Sequence, residues 1–358
     1  MFNEMTVVEA EQRRQAVRFI DVRSPGEFAQ GSIPGAINVP LLDDEERARV
    51  GTTYKQVGRA EATRLAMDLV SPKIPHFVRC IDCELSGGQA PLIFCWRGGK
   101  RSEAMATFVD LAGTPVYRLT GGYRAYRNYV VERLASAQLK MPLIVLNGLT
   151  GVGKTDVLAR LAARGEAVID LEQLAGHRGS AFGSLGEIEP RNQKQFDALL
   201  WETIKQINDR PYVFIEGESK RIGRVLVPDF LMDAKLHGVQ VYLEAPLSVR
   251  VARIVATYHP QGTNEAAFQQ DVREAISRIE KRLAPDVRQT LHEAVTAADY
   301  EAVVQLLLTN YYDPRYAHTF KQYDTMYRRI DSTDLEAATT ACHEAAREIT
   351  ATQSAHGT

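Results

Sequence analysis

One cysteine is followed directly by glycines and basic residues in the stretch IFCWRGGKRSEAM, residues 93–105. A thiol becomes a strong nucleophile when it ionises, and the N-terminus of a helix and nearby cations favour the ionised form. Cys95 follows an apolar strand and precedes a helical pattern, so both influences act on it. The neighbours that would hold an anion beside it are Arg97, Gly98, Gly99, Lys100 and Arg101. The stretch predicts a thiolate that attacks, or takes an atom from, a small oxyanion; the alternative is a buried structural cysteine beside an unrelated turn.

A second glycine-rich turn, GLTGVGKT at residues 148–155, fits the pattern G-x4-G-K-[ST] between a strand and a helix. Its defining residues are Gly148, Gly151, Gly153, Lys154 and Thr155. The backbone N–H groups would wrap a phosphate, Lys154 would neutralise its charge, and Thr155 would hold Mg²⁺ if a metal takes part. The turn therefore predicts a P-loop, and the sequence leaves open whether a metal ion binds there.

Two acidic residues follow the next strand of this second region, in FIEGESKRIG at residues 214–223. Glu216 and Glu218 lie where such folds often place metal-binding or basic carboxylates. The same two residues could instead form ion pairs with Lys220 and Arg221, and the sequence leaves both interpretations open.

Two stretches combine aromatic and basic residues, as single-stranded RNA recognition requires. The first, YYDPRYAHTFKQYDTMYRR at 311–329, has six aromatic residues and the basic residues Arg315, Lys321, Arg328 and Arg329. Tyr316, Phe320, Tyr323 and Tyr327 fall at helical spacing, so an ordinary core stripe is the competing interpretation. The second, GGYRAYRNY at 121–129, has the same ambiguity, with Arg124 and Arg127 predicted to be exposed.

The elements that position these residues alternate between strands and helices, which predicts parallel sheets covered on both faces. We expect an α/β domain at residues 1–135 and a second, P-loop NTPase-like α/β domain at 136–358, joined by a linker within 132–142. Beyond Pro246 the pattern is almost entirely helical. The predicted strands are RFIDV (18–22), INV (37–39), PLIFC (91–95), PVYRL (115–119), PLIVL (142–146), AVIDL (167–171), YVFIE (212–216) and VQVYLE (239–244).

Composition sets the broad class. With 358 residues, 45% hydrophobic and 25% charged, the chain is expected to form two globular domains. No apolar run approaches the roughly 18 residues of a membrane span, and the N-terminus lacks a signal-peptide pattern, so a cytoplasmic protein is expected. The overall charge of −2 contrasts with +4 between Cys95 and Arg133, which favours a polyanionic partner there.

The four cysteines are too few and too scattered for a disulfide scaffold, so reduced thiols are expected. Cys80 and Cys83 have C-x2-C spacing, but one such pair cannot complete a zinc site. They are either incidental or a source of a resolving thiol for Cys95.

The first half resembles rhodanese domains. The stretch FIDVRSPGEFAQGSIPGAINVP (19–40) looks like their opening signature, and LTGGYRAYR (119–127) resembles the Gly-Gly turn near their end. The resemblance implies a rhodanese-like fold with a parallel sheet and a chalcogen-carrying cysteine at Cys95. Ser32 stands where the family often has histidine. The C-x5-R loop is one residue longer than usual and matches related cell-cycle phosphatases, so it suits a donor with a phosphate-sized group.

Nearly the whole chain resembles tRNA 2-selenouridine synthases, on the segments CWRGGKRS, GTTYKQVGRAEA and GLTGVGKT, with YKQ (54–56) among the most specific parts. The resemblance implies that wobble 2-thiouridine of tRNA becomes 2-selenouridine with selenophosphate, through S-geranyl-2-thiouridine made from geranyl diphosphate. No tightly bound cofactor is expected. Cys95 would attack selenium, expel phosphate and carry the selenium as S-selanylcysteine. The P-loop would bind diphosphate without ATP hydrolysis. The residues assigned to selenophosphate are Arg97, Gly98, Gly99, Lys100, Arg101 and Ser102.

Three other functions are compatible with these motifs. One is an ATP-dependent rhodanese-type tRNA sulfurtransferase, with Cys95 as persulfide carrier and the P-loop activating the base by adenylation. Another is a phosphatase with a regulatory nucleotide-binding domain, for which no aspartate general acid can be identified. The third is a nucleotide-binding partner protein without catalysis.

Overall fold

The computed structural model describes residues 2–178, 190–258, 264–315 and 328–356, with side chains described as far as residue 348. The chain divides into two compact units. The first comprises Met1–Ser136 together with Asp197–Glu202, and the second comprises Ala137–Phe196 and Thr203–Thr358. In the described ranges no helix has the length and apolar character needed to cross a lipid bilayer.

The first unit contains a five-stranded parallel sheet in the order β1-β5-β4-β2-β3. Its strands are β1 (Asn3–Met5), β2 (Val17–Asp21), β3 (Ile37–Asn38), β4 (Ala90–Phe94) and β5 (Tyr117–Leu119). Its helices are α1 (Val7–Gln12), α2 (Pro25–Ala29), α3 (Asp44–Gln56), α4 (Arg59–Val70), α5 (Ile74–Glu84), α6 (Lys100–Leu111) and α7 (Gly122–Ala135).

Local sequence explains where several of these helices begin. Thr6, Ser24 and Asp43 each precede a helix by one position, and each is followed three residues later by glutamate in a capping box. The strands β2 and β4 carry Ile20, Ile93 and similar apolar side chains that are fully buried. The local sequence therefore explains both the short apolar strands and the residues at which the helices between them begin.

The second unit contains another five-stranded parallel sheet, in the order β12-β11-β6-β8-β7, and a small antiparallel hairpin. The strands are β6 (Leu143–Asn147), β7 (Val168–Ile169), β8 (Val213–Glu216), β9 (Arg221–Ile222), β10 (Val225–Leu226), β11 (Val239–Glu244) and β12 (Arg328–Asp331). The helices α8 (Lys154–Ala163) and α11 (Asp229–His237) pack on this sheet, and α9 (Leu171–Ala175) and α10 (Gln193–Ile207) lie between β7 and β8 along the chain.

The region after β11 is mainly helical and has a hydrophobic core of its own, to which Ile276, Leu291 and Leu308 contribute. Its helices are α12 (Leu247–Tyr258), α13 (Glu265–Ser277), α14 (Pro285–Thr296) and α15 (Tyr300–Leu307), with a π-helical turn at Leu308–Tyr312. The final helix, α16 (Leu335–His356), packs beside α8 instead. The expected helical C-terminal part is therefore confirmed.

The structure confirms two parallel α/β sheets and corrects some details. Beyond Pro246 the chain is not wholly helical, because Arg328–Asp331 forms β12 at the edge of the second sheet. The expected linker at 132–142 begins later, because α7 continues to Ala135. β1 was not predicted from sequence, since three residues give too short a pattern to recognise.

Candidate active site

Cys95 follows the last residue of β4 and lies in the loop that leads into α6. It is only 3% exposed. The Gly99 N–H donates to its Sγ at 3.3 Å, and the Ser102 Oγ lies 3.2 Å from the same sulfur. The sulfur therefore lies among polar groups at the start of a helix, as the loop sequence predicts.

The N-terminus of α7 holds this loop in place. The backbone N–H groups of Tyr123 and Arg124 donate to the carbonyls of Cys95 and Trp96, each at 2.9 Å. Gly122, with φ +61°, lies so close that an added Cβ would come within 2.2 Å of the Cys95 carbonyl oxygen. The Gly-Gly turn therefore fixes the backbone beside the cysteine.

The three basic residues of the loop differ in their surroundings. Arg101 is bonded to Glu27 through two nitrogens, at 2.5 and 3.2 Å, and Lys100 pairs with Glu103 at 3.1 Å. Burial disfavours the charge on Glu27, but the hydrogen bond and charge of Arg101 outweigh burial and lower the pKa of Glu27. Arg97 is exposed and has no ion-pair partner in the described part of the chain. An oxyanion in the loop would compete with Glu27 for Arg101.

A buried ion pair lies at the end of β2. Arg23 is 2% exposed and contacts Asp21, 0% exposed, with its Nη2 2.6 Å from a carboxylate oxygen. Ser32 donates to the same carboxylate at 2.7 Å, and the Arg23 guanidinium stacks 4.3 Å from the centre of the Tyr123 ring. Ser32 is therefore a partner of this ion pair.

The predicted P-loop connects β6 to α8, and β6 is the central strand of its sheet. The glycines that close the loop have positive φ: Gly148 (+144°), Gly151 (+82°) and Gly153 (+91°). At Gly148 a Cβ would lie 2.6 Å from the Leu243 carbonyl, so only glycine lets the loop pass β11 this closely. Lys154 begins α8, and its Nζ donates to the Gly148 carbonyl at 3.0 Å.

Carboxyl groups surround the end of β8. Glu216, the last residue of β8, is 1% exposed; its Oε1 accepts the Glu172 N–H at 2.6 Å, and its Oε2 is buried and receives no N–H or O–H donor from the described residues. Burial and the charges of Asp170 and Glu172 raise the pKa of Glu216 well above its usual value. The Asp170 side chain lies within hydrogen-bonding reach of Glu216, a contact that requires one of the two carboxyls to be protonated.

Glu172 connects this cluster of carboxyl side chains to the P-loop. Its Oε2 accepts a hydrogen bond from the Thr155 hydroxyl at 3.2 Å. Burial, with the nearby charge of Glu218, raises the pKa of Glu172 to about 7. Sequence patterns missed Glu172, because its only local signal is its position just after the short strand β7.

Lys220 and Arg221 contact groups other than the carboxylates of Glu216 and Glu218, against the ion-pair interpretation that the sequence left open. Lys220 pairs with Asp229, and Arg221 donates to the Gly223 carbonyl at 3.3 Å. The buried Lys235 donates to the Glu218 carbonyl at 2.5 Å. Burial lowers the pKa of Lys235 to about 8.

The residues around Thr155 do not assemble a metal centre made by the protein alone. Within the described ranges, no three Asp, Glu, His or Cys side chains converge as metal ligands. The Thr155 hydroxyl, which would hold Mg²⁺ if a metal takes part, donates to Glu172.

The expected positive surface between Cys95 and Arg133 is smaller than its sequence suggests. Lys100, Arg101, Arg118 and Arg127 all pair with carboxylates, most of which come from outside this segment. Arg127 was expected to be exposed, but its side chain is 20% exposed and 2.6 Å from Asp197. Arg124 is exposed, as predicted.

The first candidate RNA-binding stretch, at 311–329, is described only at its two ends. Tyr311 and Tyr312 are buried in the helical core, and exposed Arg315 stacks on Tyr311 at 4.5 Å. Arg328, in β12, pairs with Glu348 at 2.5 Å. Lys321 and the predicted aromatic stripe from Tyr316 to Tyr327 lie outside the described residues.

The C-x2-C pair lies on α5, and in the described ranges it does not belong to a cluster of three potential metal ligands. Cys80 is half-buried, Cys83 is exposed, and both are free thiols. The Cys80 Sγ is 3.4 Å from the nearer ring nitrogen of His76, Nε2.

Comparison with known families matches both halves of the chain. The model described as the tRNA 2-selenouridine synthase AAA domain matches residues 141–348, and that of the rhodanese-like domain matches residues 5–129. A rhodanese-related protein from Thermoplasma volcanium, known by its crystal structure, is 18% identical, with a TM-score of 0.23, over 36% of this chain and 93% of that chain.

Full-length relatives match across both halves. The tRNA 2-selenouridine synthase of Sulfurovum sp. (strain NBC37-1) is 32% identical over 85% of this chain and 88% of its own length. That of Cupriavidus pinatubonensis (strain JMP 134 / LMG 1197) is 34% identical over 84% of this chain and 87% of its own length. With a cysteine loop in its first unit and a P-loop in its second, this chain belongs to the tRNA 2-selenouridine synthase family.

Proposed function

We propose that the protein converts wobble 2-thiouridine of tRNA to 2-selenouridine, with selenophosphate as donor and S-geranyl-2-thiouridine as intermediate. The observation that carries the proposal is the Cys95 sulfur at the N-terminus of α6, in a C-x5-R loop whose length suits a phosphate-sized donor. Membership of the family and the names of the relatives support tRNA as the substrate.

The P-loop is assigned to the first step, formation of the geranyl thioether. The sulfur of 2-thiouridine attacks C1 of geranyl diphosphate, the S–C1 bond forms, and the C1–O bond breaks to release diphosphate. Lys154 and the loop N–H groups stabilise the charge on that leaving group. This assignment gives the P-loop a role that needs no ATP hydrolysis.

The cysteine loop is assigned to the second step, and an electron count defines the form of Cys95 that can react. Selenium in selenophosphate is two electrons more reduced than selenium in a cysteine perselenide. We therefore place the two-electron acceptor in a mixed disulfide between Cys95 and a small thiol. The donor selenium attacks the Cys95 sulfur, the S–S bond breaks to release the thiol, and water cleaves the Se–P bond. Phosphate leaves, and Cys95 carries a terminal selenium.

Delivery of selenium restores the starting state. The terminal selenium attacks C2 of the geranylated base, the C2–S bond breaks, and geranyl thiol leaves. The small thiol released earlier then attacks the Cys95 sulfur, breaks the S–Se bond and frees 2-selenouridine. The cycle has no net oxidation, and the exposed Arg97 is available to hold the phosphate of the donor.

One reconstitution separates this function from the ATP-dependent sulfurtransferase. The purified protein is mixed with thiolated tRNA, selenophosphate, geranyl diphosphate and a small thiol with its disulfide, with and without ATP, and tRNA nucleosides are analysed by mass spectrometry. Selenouridine formed without ATP supports the proposal. Strict dependence on ATP favours the sulfurtransferase.

Variants at the two loops test the division of labour. Cys95→Ala should abolish selenation and leave geranylation largely intact, because the thiol acts only in the second step. Lys154→Ala should raise the KM for geranyl diphosphate and slow geranylation, because it removes the charge that faces diphosphate. Normal geranylation by Lys154→Ala, or equal loss of both steps in folded Cys95→Ala, contradicts the assignment.

A further inference from the structure

The helices α3 and α4 form a hairpin in the first unit, and no step of the proposed reaction uses its exposed side. The two helices pack against each other, but α3 contains no buried residue. Near the end of α3, Tyr54 is 59% exposed, and Val57, just beyond the helix, is 67% exposed. Single exposed apolar residues are common on proteins, so the surroundings of Tyr54 decide whether it has a partner.

The charge around Tyr54 is positive. Residues 47–60 contain four basic residues and no acidic one. All four are exposed: Arg47, Arg49, Lys55 and Arg59. Apart from Arg47, none of them forms an ion pair with a described residue. An exposed aromatic ring among unpaired cations is the combination that binds single-stranded RNA, because the ring stacks on a base and the cations hold phosphates.

The start of α3 lies beside the cysteine loop. Glu27 pairs with Arg101 of that loop at 2.5 Å, and the same carboxylate oxygen lies 3.7 Å from Nε of Arg47 in α3. Tyr54 is seven residues beyond Arg47, so it lies on the same face of α3, about 10 Å along the helix axis. An RNA strand whose reacting base lies at Cys95 can therefore place neighbouring nucleotides on this face.

The same face has open room between Arg47 and Tyr54. Gly51 lies between them, and the one described atom within 4 Å of an added Cβ is Nη1 of Arg47, at 3.8 Å. Alanine would fit there and is the better helix former, so the fold of the chain does not require this glycine. The missing side chain leaves room for a flat base to approach the helix backbone.

We propose that this face of the α3–α4 hairpin binds the anticodon loop of the tRNA substrate. The inference rests on the proposed function, which puts the reacting wobble base in that loop. The Tyr54 ring stacks on an unpaired base near the one at Cys95, and Lys55 and Arg59 hold phosphates beside it. RNA is favoured over a protein partner because Glu27 links this face to the loop at which tRNA reacts.

The test is equilibrium binding of fluorescently labelled, thiolated tRNA to the full-length protein, at several salt concentrations and without selenophosphate or geranyl diphosphate. Tyr54→Ala should weaken binding about tenfold, because the stacking ring is lost, and Tyr54→Phe should bind as the wild type does. Lys55→Ala should reduce the slope of log affinity against log salt concentration by about 0.7, the effect of one lost phosphate contact.

Arg49→Ala is the matched control for Lys55→Ala. Arg49 is exposed on the same helix and has no ion pair in the described part of the chain, but it is two residues from Arg47 and so points to nearly the opposite side. Arg49→Ala should therefore keep the wild-type salt slope.

Gly51→Gln tests the open room on this face. Glutamine is a good helix former and the helix has space for it, so the melting temperature followed by circular dichroism should not fall. Binding of tRNA should nevertheless weaken, because the added side chain fills the space that a base would enter. Wild-type affinity in folded Gly51→Gln counts against the proposed contact.

The outcomes separate the surface from the reaction. Unchanged tRNA binding by Tyr54→Ala, or equal changes of salt slope in Lys55→Ala and Arg49→Ala, overturns the RNA surface and leaves the proposed function standing. A wild-type protein that does not bind tRNA overturns both. Weaker binding by Tyr54→Ala and Gly51→Gln supports the surface even if the wild-type protein forms no 2-selenouridine, and then the proposed reaction alone fails.

Discussion

The hydroxyl of Ser102 has one proton and two acceptors within reach. It donates to the Gly99 carbonyl at 3.0 Å, and its oxygen is 3.2 Å from the Cys95 sulfur. With a protonated thiol, the S–H group can donate to Ser102 while Ser102 donates to Gly99. With a thiolate, the hydroxyl can turn and donate to sulfur. Ser102 therefore has a hydrogen bond to the Cys95 sulfur available, and its expected contact with selenophosphate stays a prediction.

Gly122→Ala is expected to disable the cysteine loop. The added Cβ would meet the Cys95 carbonyl at 2.2 Å and the Gly98 nitrogen at 2.5 Å, and alanine is strained at φ +61°. Both atoms belong to backbone, so relief requires movement of the loop. We expect a loss of more than about 3 kcal/mol in unfolding free energy and loss of selenation.

Gly113→Ala is the control for that substitution. Gly113 has φ +93° but no atom within 4 Å of an added Cβ, so only the backbone strain of about 1–2 kcal/mol remains. Urea unfolding and selenation assays measure both variants. Equal losses in the two would show that contact with the loop is not the cause.

Sequence indicates candidate site residues most readily where chemistry and spacing are local. Cys95 and Lys154 were identified because each lies within a short glycine-rich motif between a strand and a helix. Glu27 and Glu172 were not identified, because their partners are distant in sequence: Arg101 is 74 residues from Glu27, and Thr155 is 17 residues from Glu172. Such pairings depend on which strand ends meet at one edge of a sheet.

At the scale of elements, α12 holds the P-loop from outside. Arg250, 4% exposed, donates from Nε to the Thr150 carbonyl at 2.8 Å and binds Asp313 through its other two nitrogens. Arg253 donates to the Val152 carbonyl at 2.9 Å. These bonds occupy two P-loop carbonyls and fix the orientation of their peptides.

Arg250→Ala should therefore loosen the P-loop. It leaves the Thr150 carbonyl and the Asp313 carboxylate without their guanidinium, at a cost of about 3 kcal/mol in unfolding free energy. We also expect at least about tenfold weaker binding of inorganic diphosphate, measured by calorimetry. Arg278→Ala is the control, because among the described residues Arg278 pairs with Glu274 alone, on an exposed helix face, and its loss should cost under about 0.5 kcal/mol. Unchanged diphosphate binding in Arg250→Ala would contradict a supporting role for α12.

The elements themselves were predictable wherever apolar strands are bounded by turn residues. β4, β6, β8 and β11 lie within one or two residues of their expected positions. β12 was missed because its sequence, RRID, has a single buried apolar residue, Ile330, and gains its strand conformation only by pairing with β11. Edge strands of this kind carry little local signal.

At the scale of the molecule, the two reactive loops belong to different compact units. The intermediate between their reactions is a modified tRNA that is complete in itself. A mixture of Cys95→Ala and Lys154→Ala proteins should therefore form 2-selenouridine faster than Lys154→Ala alone, since Cys95→Ala supplies the geranylated tRNA that Lys154→Ala makes only slowly. The measurement is nucleoside mass spectrometry of the mixture and of each variant alone. No gain in rate over Lys154→Ala alone, with each variant competent in its own step, would mean that geranylated tRNA does not pass between molecules.

The membership of Asp197–Glu202 in the first unit bears on how the protein can be dissected. Asp197 pairs with Arg127, Glu202 lies 3.3 Å from Arg14, and Trp201 packs edge-on against Tyr129. A recombinant fragment ending at residue 136 would lack all three partners and leave the Tyr129 ring without its indole neighbour. Such a fragment is expected to express poorly, and a boundary drawn from linear sequence alone would separate residues that the native protein keeps together.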